Sequence, residues 1–340
     1  MSASGSVPRV STALTISDHW EHVKCRISAF RHSYSVPPGL YAVGEPDRSS
    51  DVLVSANYKL SFDALRRELT GLDAWILVLD TKGINVWCAA GKGTFGTEEL
   101  VGRIRSAQLD KVVDHRRIIL PQLCAPGVSA HKVGRATGFR VLYGPVQARD
   151  IPAYIKAGYK ASREMRTVAF TLHDRLVLTP MEVVPAMKKF PIYAAAILII
   201  LGLSPSGILF KDAWAGGLPL LVLGLVAVLA GAFFTPLLLP FIPFRSFAMK
   251  GWLVGLLSLY LSSQFVTPPD QHSVLLLAFS YLFFPLASSY IALQFTGATT
   301  FTGMSGVKRE LKFALPVYVS VGAVSVMLLA GFKLVQWGVL

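Results

Sequence analysis

One cysteine in this chain stands where its neighbours leave room for chemistry. In "TKGINVWCAAGKGTFGTEEL" (81–100), Cys88 lies between the indole of Trp87 and the small residues Ala89, Ala90 and Gly91. No second cysteine lies within metal-ligand spacing, and neither His nor Asp adjoins it, so a local zinc site or catalytic pair does not fit. The same stretch spells a dinucleotide fingerprint, Gly91-x-Gly93-x-x-Gly96, with Asp110 placed to serve as the ribose acid. A P-loop is excluded, because position 86 is Val where Gly is required and Lys92 is followed by Gly93 rather than Ser or Thr.

Read as a short helix, the segment gains a different meaning. Asn85 is a good N-cap, its side-chain oxygen free to accept from first-turn amides. Gly91 suits the left-handed residue that stops the helix, and Thr97 caps a second one with Glu98 and Glu99 in its first turn. Cys88 then sits in a first helical turn, where exposed amides favour a thiolate. The small residues beside it leave a surface that a flat, wide partner could approach. A buried structural cysteine is the competing reading.

The elements that must position this segment are legible on either side. Residues 50–185 alternate strand patterns (52–55, 74–79, 117–120, 140–143, 167–172) with helical ones (61–71, 97–109, 129–138, 151–158). Such alternation predicts an α/β, Rossmann-like domain with a mainly parallel sheet. In such sheets ligands bind beyond the carboxyl ends of the strands. The loops there hold Asn57 and Tyr58, the Cys88 segment, Ala125, Gly127 and Val128, and Tyr143 and Gly144. Residues 1–49 have no assigned role.

The second half has another solvent preference. The 340 residues are 53% hydrophobic with only 16% charged, mean hydropathy is +0.51, and most of the apolar excess follows Lys189. An all-α membrane domain over 190–340 is predicted, with five spans near 190–210, 213–234, 247–266, 273–293 and 313–335. Basic flanks (Lys188, Lys189; Arg245, Lys250; Lys308, Arg309, Lys312) contrast with the Lys/Arg-poor "TPPDQH" loop (267–272). The positive-inside rule then places the α/β half in the cytoplasm and the C-terminus outside an inner membrane. The net charge of +13 belongs with those flanks, and no aromatic-basic platform points to nucleic acid. Three cysteines without paired spacing, Cys25, Cys88 and Cys124, argue against a disulfide framework. The polar N-terminus does not read as a signal peptide. The Thr/Gly-rich stretch 294–312 is either a linker ending in an interfacial basic helix or a surface for the α/β domain.

The run Asn85-Val86-Trp87-Cys88-Ala89-Ala90-Gly91-Lys92 resembles the signature of the corrinoid protein family of anaerobic mercury methylation, the HgcA family. The resemblance extends through 52–69, 120–146 and 295–310 and covers most of the chain after about residue 40. A soluble relative is the large subunit of the corrinoid iron–sulfur protein. The resemblance implies a cobalamin-type corrinoid whose cobalt takes Cys88 as lower axial ligand, on a cap helix over the ring. It implies methyl transfer from Cys88-ligated methyl-Co(III) to Hg(II), giving methylmercury. It further implies a ferredoxin-like partner with two 4Fe–4S clusters as electron donor, a methyl-folate-dependent methyl donor, and no iron–sulfur cluster in this chain. Cofactor contacts are expected from Asn85, Trp87, Ala89, Gly91, Lys92 and Thr94, and from Asn57, Tyr58, Ala125, Gly127, Val128, Tyr143 and Gly144, although each could equally serve the fold. The histidine-ligating pattern Asp-x-His-x-x-Gly is approached only at 129–134, where Ser129 stands in place of Asp. Cys124 departs from the small non-thiol residue expected there. Two other functions stay open at this point: a membrane-tethered methyl carrier in one-carbon metabolism, and an oxidoreductase using Gly91, Gly93 and Gly96.

Overall fold

The computed structural model describes residues 7–205, 207–266 and 273–340, and the chain divides into two compact units, Met1–Ala169 and Phe170–Leu340. The "TPPDQH" loop lies outside the described residues.

In chain order the first unit contains α1 (Ile16–Ile27), β1 (Gly39–Val43), β2 (Asp51–Ala56), α2 (Lys59–Arg67), β3 (Ala74–Leu79), α3 (Val86–Lys92), α4 (Thr97–Ser106), α5 (Leu109–Val112), β4 (Arg117–Leu120), α6 (Ala130–Thr137), β5 (Arg140–Tyr143) and α7 (Ile151–Lys156). The sheet order is β1-β3-β2-β4-β5. β3, β2, β4 and β5 run parallel, and β1 pairs antiparallel with β3 from Gly39↔Val78 to Val43↔Ala74. The strands read as continuous apolar runs because both faces are covered. Alternate residues go to opposite sides. Val52, Val54, Leu77, Leu79, Ile118 and Leu120 pack with Ala89, Ala90, Phe95, Leu100 and Val133 of the α3–α6 layer. Leu53, Ile76, Val78 and Ile119 pack with Phe62, Leu65 and Tyr154 on the other face.

Two sequence expectations are corrected here. No strand forms at 167–172: Glu164–Arg166 is a 3₁₀ turn, and Thr171 instead caps a helix, exchanging hydrogen bonds with Asp174 in a capping box. An alternating apolar pattern lost to a local helix-start signal. The fifth strand is β1, inside the segment to which no role was assigned; it is short and follows Pro37 and Pro38. The α/β unit thus takes in residues before 50 and ends at Ala169.

The second unit contains α8 (Leu172–Leu178), α9 (Pro180–Gly202), a two-residue hairpin β6 (Leu203–Ser204) with β7 (Gly207–Ile208), α10 (Phe210–Leu229), a π-helical turn (Ala230–Phe234), α11 (Thr235–Leu238), α12 (Phe247–Ser262), α13 (Val274–Gln294) and α14 (Met304–Gln336). Among the described residues, four helical stretches are long and apolar enough to cross a membrane: Leu172–Gly202, Phe210–Leu238, Val274–Gly297 and Ser305–Gln336. The expected first span is shifted, because the chain turns back at the hairpin instead of continuing to 210. The expected third span is the 16-residue α12, about 24 Å at 1.5 Å per residue, short of a ~30 Å hydrocarbon core. α12 packs on α13 through small residues. A Cβ on Gly251 would stand 2.4 Å from the Ala292 Cβ, and the Ser288 hydroxyl donates to the Gly251 carbonyl (2.8 Å).

Candidate functional site

The strand order reverses between β2 and β4, since the chain crosses from β2 to β3 on one side and from β3 to β4 on the other. Open parallel sheets bind ligands at this switch point, outside the strand ends. A cavity of about 350 Å³ lies there. It is lined by the ends of β2 (Val54, Ser55) and β4 (Leu120, Pro121), by Gly144 and Pro145 after β5, and by Asn85, Val86 and Trp87 at the start of α3.

Asn85 is the N-cap, as expected: its Oδ1 accepts from the Cys88 amide at 2.9 Å. The apolar anchor of α3 is Ala89 and Ala90, both buried in the core. Trp87 is 38% exposed, and Cys88 is a free, half-buried cysteine. Its thiol has no hydrogen-bond partner among the described residues, whereas Cys25 bonds the Tyr58 hydroxyl at 2.8 Å. The buried structural cysteines are therefore Cys25 and Cys124. Burial pushes the Cys124 thiol up to about 12, as for a neutral core residue.

Two details of the segment differ from expectation. Gly91 lies within α3, and the left-handed stop is Gly93 (φ 82°). Gly96, not Thr97, is the N-cap of α4; Thr97 begins the helix and its Oγ1 accepts from the Ser129 amide (2.9 Å). The fingerprint reading falls with the first. β3 ends at Leu79 and Gly91 is already helical, so no strand runs directly into the glycine turn that a dinucleotide pyrophosphate needs.

The expected contacts divide by where they sit. Asn85, Trp87 and Gly144 line the cavity; Gly91 and Lys92 are exposed on α3. A Cβ on Gly91 or Gly93 would meet nothing within 4 Å, so the backbone there is open to close approach. The Thr94 hydroxyl donates to the Ala89 carbonyl at 3.5 Å.

The others make contacts within the fold. Asn57 is buried, and its Oδ1 accepts from Thr81 N (3.0 Å), Thr81 Oγ1 (2.8 Å) and Gly83 N (3.0 Å), shaping the loop that delivers α3. Tyr58 turns to Cys25 of α1. Ala125, Gly127 and Val128 belong to the turn beneath α3, where the Tyr143 hydroxyl donates to the Val128 carbonyl (2.6 Å). Sequence reasoning missed Ser55 in the lining, whose only signal was its position at a strand end.

No group of three or more His, Cys, Asp or Glu among the described residues could hold a metal ion. A lone thiol can still supply one axial bond to a metal whose other ligands come with a macrocycle. The residues present fit a corrinoid on that basis: one accessible thiol, a helix face without bulk at Gly91 and Gly93, and a cavity beside it. At about 350 Å³ the cavity is near the lower end of small-molecule sites, ~300–1,000 Å³. It would take only part of such a group.

Comparison with known proteins bears on the first unit. The family model described as CO dehydrogenase/acetyl-CoA synthase delta subunit matches residues 27–155, within the first unit. The chain is 30% identical over 135 residues to the acetyl-CoA decarbonylase/synthase complex subunit gamma of Methanopyrus kandleri (39% of this chain, 29% of that one). It is 34% identical over 104 residues to the subunit of the same name from Methanocaldococcus jannaschii (30% of this chain, 21% of that one). With the corrinoid/iron-sulfur protein large subunit of Moorella thermoacetica it shares 31% identity over 120 residues (35% and 26%). The chain spans less than a third of the length of these relatives, and over that length its first unit is similar to proteins of corrinoid one-carbon metabolism.

Proposed function

We propose that this chain is a membrane-tethered, corrinoid-dependent methyltransferase with Cys88 as the axial ligand to cobalt, and that its methyl acceptor is Hg(II), giving methylmercury. The observation that carries the reading is the half-buried, free Cys88 on α3, one residue beyond the wall of the switch-point cavity. When bound, the corrinoid supplies the cobalt that carries the methyl group. Cys88 would hold it through sulfur, and a thiolate is a strong donor that favours release of methyl to an electrophile. Asn85 fixes the thiol's backbone, buried Ala89 and Ala90 anchor it, and Gly91 and Gly93 leave space for the ring. Hg(II), a soft metal, would arrive on sulfur ligands. Electrons would come from a ferredoxin-like partner with 4Fe–4S clusters, and methyl groups from a methyl-folate-dependent system.

In the same reading the helical unit sits in the inner membrane, with α12 as a fifth, shorter crossing. The α/β unit is then cytoplasmic and the C-terminus outside. The similarity to acetyl-CoA decarbonylase/synthase and corrinoid/iron-sulfur proteins favours a second reading, a membrane-tethered methyl carrier in one-carbon metabolism with mercury incidental.

The test is the visible spectrum of the full chain in detergent, reconstituted anaerobically with cobalamin, beside Cys88→Ala. A sulfur-ligated spectrum lost in the variant supports the ligand, and identical spectra sink it. Methylmercury formation with a reduced ferredoxin and a methyl donor separates the two readings.

A further inference from the structure

We infer that the helical unit carries a binding site of its own, a groove among α12, α13 and the first half of α14 that holds one anionic phospholipid from the bilayer. The inference rests on the membrane reading of this unit. The cavity measures about 1160 Å³, more than three times the switch-point cavity. Trp252, Leu282, Leu286, Val317 and Val321 form its apolar wall. Trp252 and Val317 are 39% and 50% exposed, a surface that acyl chains would cover.

The polar end is charged, and its charges are unevenly engaged. Glu310, the one carboxylate in the lining, already accepts from Ser246 Oγ and the Ala248 amide, both at 2.6 Å, at the start of α12. Lys250 is buried and turned to the Leu239 carbonyl. That leaves Arg245 and Arg309, both exposed at the rim and neither in an ion pair among the described residues. Two free guanidiniums above an apolar wall match a phosphate head with its tails attached. A free phosphate would have no use for the wall. Basic pockets between membrane helices on the cytoplasmic side recognise anionic headgroups in this way, and these residues lie on the flank that the positive-inside rule assigns to the cytoplasm.

The experiment uses the full chain in nanodiscs of equal phosphatidylglycerol and phosphatidylcholine, released into the gas phase for native mass spectrometry. Retained phosphatidylglycerol should exceed phosphatidylcholine by roughly tenfold, and Arg245→Gln/Arg309→Gln should bring the two level. Lys308→Gln/Lys312→Gln removes the same charge outside the groove and should leave the preference intact. Equal retention by the wild type, or an equal loss of preference in both double variants, overturns the site. Alkaline carbonate extraction checks the membrane reading separately: release of the chain from membranes would overturn that reading and the lipid site together.

Discussion

Gly127 lies against Ala90 so closely that a Cβ on it would stand 3.1 Å from the Ala90 Cα and 2.4 Å from the Phe95 carbonyl oxygen. The turn after β4 and the helix that carries Cys88 thus meet backbone to backbone, and the height of the thiol over the sheet is set by that contact. Gly127→Ala should force α3 outward. The expected result is a loss of about 1–3 kcal/mol in stability, the usual range for overpacking. Corrinoid retention should weaken although Cys88 is intact. Thermal unfolding and retained corrinoid absorbance check both.

Asn57 should behave as a structural residue. Its carbonyl oxygen accepts three hydrogen bonds from Thr81 and Gly83, so Asn57→Ala strands buried donors at about 1–3 kcal/mol. Asn57→Asp keeps the acceptors and should recover part of the melting temperature. Unchanged stability in the alanine variant, with corrinoid lost, would return Asn57 to the cofactor site.

The three thiols should separate by accessibility. Cys25 is 1% exposed and Cys124 is fully buried, with its thiol pushed up to about 12 by burial, whereas Cys88 is half-buried. Native full-length protein treated with iodoacetamide near pH 8 should gain one adduct, at Cys88. Denatured protein should gain three. Bound corrinoid should block the first. Peptide mass spectrometry reads all of these outcomes.

Acid should loosen α1 early. Asp63 of α2 has a side chain with no exposure and receives Lys59 Nζ (2.8 Å), Arg66 Nε (2.7 Å) and His22 Nε2 (2.9 Å). Burial alone would raise its carboxyl, but the hydrogen bonds from His22, Lys59 and Arg66 outweigh burial and hold it below the usual range. Asp18 of α1 shares Lys59 and Arg66 and is lowered likewise, against burial. A carboxylate lowered in the folded state stabilises above its unfolded value of ~3.9 and loses that contribution as pH falls below it. Hydrogen exchange should therefore show α1 opening below about pH 4. Asp63→Asn, which removes one of the two carboxylates that Lys59 and Arg66 share, should open it at neutral pH at a cost on the order of 3 kcal/mol.

Much of the framework was legible from local rules. Four strands, the helices between them and the Asn85 cap follow from periodicity and side-chain capping, which act over a few residues. The same rules failed where two local signals competed. At 167–172 the Thr171–Asp174 capping box overrode an alternating pattern, and at Gly91 the helix ran on to Gly93. The long apolar helices were visible as apolar runs, but their ends were not. The 16-residue length of α12 depends on how the helices pack.

By itself the sequence determined that Cys88 would open a short capped helix among small residues, in an α/β unit followed by an apolar helical one. Only the tertiary structure decided which of the expected residues come together. Asn85, Trp87 and Gly144 come together at the strand-order reversal, while Asn57, Tyr58 and Tyr143 turn into loop, helix and core contacts. The reason is physical: a strand-end residue faces the crevice or the fold according to pleat and crossover. Those are set by pairing between segments tens of residues apart, which no short window of sequence contains.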